Sequence, residues 1–170
     1  EKEFSHEEMV QEAMEIKEIA ARYRVPFVIN DDIYAAKEID ADGVHIGQSD
    51  MEYQKARQIL GPDKIIGISA STLEEAVAAE KAGADYIGVG AVFPTDTKAD
   101  HIPVTFEELK QITDTVSIPV VAIGGINADN LTKLAGTGID GISVISAIFA
   151  QPDPGIATKE LLARTKEILS

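Results

Sequence analysis

The chain has 170 residues, 45% of them apolar, no cysteine and a net charge of −14. That length fits one domain with a useful core, residues 1–170, and the missing thiols exclude disulfides, thiol catalysis and thiolate metal sites, which suits the cytoplasm. The acidic balance argues against nucleic-acid and anionic-membrane partners, which need a basic surface, but leaves small phosphate ligands open.

The N-terminal Glu1-Lys2-Glu3-Phe4 is charged, and no apolar run approaches ~20 residues, so neither a signal peptide nor a membrane span is expected. The absence of an initiator methionine reads as a piece of a longer protein. Ser5-His6-Glu7-Glu8 is a capping box opening a helix, with Met9, Ala13, Ile16, Ile19, Ala20 and Tyr23 expected on one stripe. Strands follow at Pro26 to Ile29, Gly43 to Gly47, Lys64 to Ser69, Tyr86 to Phe93, Val120 to Ile123 and Gly141 to Ile148. Between them lie helices near Ile33 to Glu38, Tyr53 to Leu60, after Thr72 to Gly83, after Thr105, and from Asn127 to Gly138. A last helix is expected from Ala157 to Leu169.

Continuous Ile/Val runs, rather than alternation, indicate strands covered on both faces, hence a parallel sheet. Asp42, Asp85 and Asp140 recur just before strands, where tight helix-to-strand turns are needed. The order is one helix and then six βα units. The expected class is α/β, a parallel (β/α)8 TIM-barrel type lacking its first two strands and first helix.

Polar residues recur where buried strands should end, which is how a parallel barrel builds its site. Asn30-Asp31 and Asp50 follow successive strands. Their carboxylates suit Mg²⁺, while Asp31, Asp32 and Asp50 read equally as helix N-caps, Asp32 above all. Thr95-Asp96-Thr97-Lys98 offers hydroxyls, turn amides and one point charge for a phosphate, or is a solvated loop. Gly124-Gly125 lets a phosphate approach backbone at a helix start, or only permits a tight strand exit, and Ile145-Ser146 offers a second such place. Ser69 is either a hydroxyl aimed at the same mouth or a cap. His45, inside an apolar strand, reads as a packed or hydrogen-bonded residue, and His6 and His101 as surface residues.

Together Phe27-Val28-Ile29-Asn30-Asp31, Ala41 through Asp50, Gly67-Ile68-Ser69, Gly88-Val89-Gly90, Phe93 through Lys98, Ile123-Gly124-Gly125-Ile126 and Ile145-Ser146-Ala147 resemble the thiamine-phosphate synthase family. The resemblance spans essentially the whole chain. It implies an enzyme joining a hydroxymethylpyrimidine diphosphate to a thiazole phosphate with release of pyrophosphate. It implies Mg²⁺ on Asp31 and Asp50. Asn30, Ser69 and Lys98 would hold the pyrimidine diphosphate, with Ser69 and Lys98 nearest the chemistry. Thr95, Asp96, Thr97, Gly125, Ile145 and Ser146 would hold the thiazole phosphate. The family's Gln-Leu-Arg-Glu-Lys segment is matched only by Glu1-Lys2, which leaves Lys2 as its contribution to the diphosphate. Alternatives are a thiazole tautomerase-like enzyme and a non-catalytic phosphate-binding barrel fragment. Small-molecule substrates are the expected partners, and open sheet edges allow a homo-oligomer.

Overall fold

The computed structural model describes residues 5–47, 50–95 and 103–169, with backbone alone for 50–52. The chain forms two compact units, one ending at Ile68 and one beginning at Ser69.

In the first unit, Ser5 opens helix α1 (His6–Arg22) through a full capping box: its hydroxyl accepts from the Glu8 N–H, and the Glu8 carboxylate accepts from the Ser5 N–H. Next come β1 (Val28–Asn30), α2 (Ile33–Glu38), β2 (Gly43–Ile46), α3 (Asp50–Leu60) and β3 (Ile65–Ala70). β1 pairs with β2, and β2 with β3, all in parallel, in the registers Asn30 to His45 and Ile46 to Ile68. Val44, Ile46 and Ile66 are essentially inaccessible, as are Ala35, Ala36 and Ala56 on the covering helices. Each such branched side chain contributes roughly 1.5–3 kcal/mol of burial.

Only the Met9, Ala13 and Ala20 side of the stripe expected on α1 is turned inward, Ala13 buried and the other two half-buried. Val10 and Ala13 are buried, whereas Ile16, Ile19 and Tyr23 are exposed. Polar bonds fix the helix instead. The Lys17 ammonium donates to the Ile39 and Asp40 carbonyls, 2.7 Å each, where α2 ends and its dipole favours a cation. His6 is a surface residue, as expected, and lies 3.6 Å from the Asp32 carboxylate and 3.2 Å from that of Glu38.

The second unit takes the end of β3, then α4 (Leu73–Ala82), β4 (Tyr86–Val89), α5 (Phe106–Thr115) and β5 (Val120–Ile123). A short 3-10 helix (Leu131–Leu134), β6 (Gly141–Ser143), α6 (Ser146–Phe149) and α7 (Pro154–Ile168) complete it. β4 pairs with β5 and β5 with β6, again in parallel. The Gly90 N–H donates to the Ala70 carbonyl at 3.3 Å, which sets the ends of β3 and β4 side by side. Ile87, Val89, Leu109, Ile112, Leu131 and Leu134 form the core. The fold is thus parallel α/β, as the unbroken apolar strands require.

Three elements differ from expectation. β4 stops at Val89, because the Val92 and Phe93 N–H groups turn to the Ile123 and Gly124 carbonyls. Gly90 makes this approach feasible, since a Cβ there would collide with the Ile123 carbonyl. β6 stops at Ser143, and residues 146–149 turn into α6. The helix expected from Asn127 shrinks to one 3-10 turn, closed by left-handed Gly136 and Gly138.

The aspartates before strands do more than turn the chain. The Asp42 N–H donates to the Phe27 carbonyl at 3.0 Å, and its carboxylate accepts from the Phe27 N–H at 2.7 Å. In the other unit, Asp140 makes the same two-way clasp with Val120, at 2.8 Å in each direction.

Candidate functional site

In the first unit, the chain leaves β1 at Asn30 and turns sharply. Asp31 adopts a left-handed conformation, φ 64°, that L residues other than Asn, Asp and Gly rarely accept. The turn is fixed by backbone: the Asp31 N–H donates to the His45 carbonyl, and the Asp32 N–H to the Asn30 carbonyl, 2.8 Å each. The Asn30 carboxamide donates to the Asp31 carboxylate at 2.7 Å. Asp32 is the cap of α2, accepting from the Ala35 N–H at 2.8 Å. The two neighbouring aspartates are therefore separated by role. Asp32 is spent on the helix, while Asp31 is exposed at the C-terminal end of the strand.

Asp50 is the first residue of α3, and its side chain lies outside the described residues. His45 is half-buried in β2, and its carbonyl receives Asp31. The donor set at Asp31 is hard oxygen with acceptor capacity left after one amide bond, which fits a divalent cation such as Mg²⁺. Among the described residues no group of three His, Cys, Asp or Glu side chains converges on one point.

In the second unit, the polar residues again follow strand C-termini. Ser69 lies in β3, half-buried, and it is not a helix cap: α4 is capped by Thr72, whose hydroxyl accepts from the Glu75 N–H at 3.2 Å. Ser71 donates its hydroxyl to the Gly90 carbonyl at 3.1 Å. Past β4, the Phe93 ring packs edge-on against Phe106, with ring centres 5.6 Å apart, and the chain runs through Pro94 to half-buried Thr95. Asp96, Thr97 and Lys98, with Lys2, fall outside the described residues.

Past β5, Gly124 and Gly125 are both left-handed, at φ 100° and 65°. A Cβ at Gly125 would lie 2.5 Å from the Pro94 carbonyl oxygen and 2.8 Å from the Phe93 Cβ, so glycine is required twice over. The Phe93 N–H donates to the Gly124 carbonyl at 3.1 Å, which joins the loops after β4 and β5. After β6, Ile145 is 64% exposed and caps α6 with its carbonyl, which accepts from the Phe149 N–H at 2.9 Å. Ser146 opens that helix, exposed.

Sequence reasoning missed Asn130. Its half-buried carboxamide accepts from the Asn127 N–H at 2.9 Å and donates to the Gly125 carbonyl at 2.8 Å. Arg164 of α7 also reaches this loop, donating to the Ala128 carbonyl at 2.6 Å. An asparagine just past a paired-glycine loop was the available signal, but the patterning there read as an ordinary helix start.

A parallel α/β protein with hydroxyls, a carboxylate and a paired-glycine loop at its strand C-termini has the layout of phosphate-handling α/β enzymes. The chain belongs to the thiamine monophosphate synthase family, whose model matches residues 1–148. It is 53% identical over 154 residues to the thiamine-phosphate synthase of Methanobrevibacter smithii, covering 91% of this chain and 74% of that one. With the thiamine-phosphate synthase of Clostridium acetobutylicum it shares 55% identity over 150 residues, 88% of this chain and 71% of that one. The solved thiamine phosphate pyrophosphorylase of Pyrococcus furiosus superposes with a TM-score of 0.91 at 42% identity, covering all of this chain and 82% of that one. The activity expected from the sequence is thus the one for which these relatives are named, a transferase activity of thiamine biosynthesis. Among the described residues no helix is long and apolar enough to cross a membrane.

Proposed function

We propose that the chain couples a 4-amino-2-methyl-pyrimidine carried as its methylene diphosphate to a thiazole phosphate, giving thiamine phosphate and pyrophosphate. The single observation that carries this reading is roughly half identity to thiamine-phosphate synthases over about nine-tenths of the chain. The six described strands are then six βα units of an eight-stranded barrel, and the reaction takes place in the cytoplasm.

The residue types dictate the chemistry. The bond between the pyrimidine methylene and the diphosphate oxygen breaks, and both electrons leave with pyrophosphate. The aminopyrimidine ring stabilises the resulting benzylic-type cation, and the thiazole nitrogen's lone pair forms the new C–N bond. No protein nucleophile enters this balance. Asn30, Ser69 and Lys98, with Lys2, hold the diphosphate, and the Lys98 ammonium meets the negative charge that grows on the leaving group. Asp31 and Asp50 would hold Mg²⁺, which supplies charge neutralisation on the diphosphate. Thr95, Asp96, Thr97, Gly125, Ile145 and Ser146 hold the thiazole phosphate, so that its nitrogen faces the methylene carbon. Catalysis is positioning and electrostatics.

The test is a coupling assay with both substrates and Mg²⁺, following pyrophosphate release together with thiamine phosphate formation. Stoichiometric appearance of both is expected. Binding of the thiazole phosphate with no pyrophosphate release at any Mg²⁺ concentration would overturn the proposal in favour of a tautomerase-like or purely binding protein.

A further inference from the structure

We infer that Asn130 is the positioning residue of the phosphate-holding loop, setting which backbone atoms that loop offers to an anion. This rests on the reading above, that Gly125 lies in the thiazole phosphate site.

An anion can approach backbone only where N–H groups face it and carbonyls do not. Two glycines in left-handed conformations are free to flip either way, because glycine populates both signs of φ about equally. Something outside the glycines must choose. In this loop both carbonyls are already engaged. Gly124 accepts from the Phe93 N–H at 3.1 Å, and Gly125 accepts from the Asn130 carboxamide at 2.8 Å. The N–H groups of Gly125 and Ile126 take no part in those bonds.

The Asn130 side chain uses both of its ends on the same loop. Its oxygen receives the Asn127 N–H while its nitrogen holds the Gly125 carbonyl, so it spans the turn like a strut. It is also not acting as a helix cap, since it makes no side-chain cap bond to the 3-10 helix that it precedes. A residue in the cap position whose carboxamide is turned back onto the glycine loop is placed for the loop, not for the helix.

The discriminating variant is Asn130→Asp. It keeps an acceptor for the Asn127 N–H, so the turn can still form, but it sets a carboxylate oxygen against the Gly125 carbonyl in place of a donor. Asn130→Ala removes both bonds. Affinities are measured by calorimetry for the thiazole phosphate, for the same thiazole as its free alcohol, and for the pyrimidine diphosphate with Mg²⁺. Loss of a bond to a phosphate-positioning carbonyl should weaken thiazole phosphate about tenfold. The free alcohol and the pyrimidine diphosphate should stay within about twofold. Equal weakening of alcohol and phosphate, or unchanged phosphate affinity in both variants, would overturn the role of Asn130. If the wild type itself does not prefer the phosphate over the alcohol, the assignment of this loop to the thiazole phosphate is wrong and the inference falls with it.

Discussion

The Asn30 carboxamide holds the Asp31 carboxylate at 2.7 Å while the Asp31 backbone sits at φ 64°. A left-handed backbone costs even an aspartate some stability relative to glycine. Asp31→Gly should therefore leave the protein as stable as before or more so, by up to about 1 kcal/mol, since glycine accepts this conformation freely. The same variant should lose metal-dependent turnover. Thermal unfolding and Mn²⁺ titration check it, and retained Mn²⁺ affinity would remove Asp31 from the metal site.

Gly125→Ala should do the opposite and harm both properties. The left-handed conformation costs an alanine about 1–2 kcal/mol, and the new methyl has no room beside Pro94 and Phe93. Denaturant unfolding should show a loss of roughly 2 kcal/mol or more, with thiazole phosphate binding reduced in the folded fraction. A fully stable variant would mean that the loop can move away from the exit of β4.

Lys98→Ala should lower kcat more than it raises KM for the thiazole phosphate, because the ammonium matters most as pyrophosphate departs. A fall in kcat of about a hundredfold is expected for removing one such charge. Steady-state kinetics decide this, and an unchanged kcat with a raised KM would make Lys98 a simple binding residue.

Acid should weaken the fold through carboxylates that accept hydrogen bonds in loops and capping boxes. Hydrogen bonds from the Ser117 hydroxyl and N–H, 2.6 Å each, hold the Glu80 carboxyl below its ordinary 4.5. Backbone and hydroxyl bonds from Ser5 and Thr105 do the same for Glu8 and Glu108. A carboxyl depressed in the folded state stabilises it above the unfolded value and loses that contribution as pH falls through the folded one. The melting temperature should thus be level above pH 5 and decline below about 4.5. Glu80→Gln should make the decline shallower, and an identical acid limb in that variant would show that the Ser117 bonds do not contribute.

Much of this was legible in the sequence for a physical reason. Capping boxes at Ser5 and Thr105 are local, and both formed as the spacing requires. Apolar strands such as Val120–Ile123 carried their own boundaries. What failed depended on partners distant in sequence. The α1 stripe held at Ala13 but was drawn too far towards Ile16 and Ile19, which are exposed, and it omitted Val10, which is buried. β4 was read too long because the Val92 and Phe93 N–H groups answer to the carbonyls of Ile123, which ends β5, and of Gly124 just past it. Asn130 is a different case: its bond to the Gly125 carbonyl is local, five residues back, but follows neither helix nor strand periodicity. Asp32 is the cap, as expected, whereas the left-handed backbone of Asp31 has no counterpart in the sequence pattern.

The two-way clasps of Asp42 with Phe27 and of Asp140 with Val120 join residues 15 and 20 positions apart. Closures this short form in well under a microsecond and bring little entropic loss, and chains rich in them fold quickly. Each clasp sets the start of one strand against the start of the next before any remote segment has arrived. Chain emerging from a ribosome can therefore register its strands pair by pair. Asp42→Ala and Asp140→Ala should for that reason show their effect in the refolding rate more than in the unfolding rate.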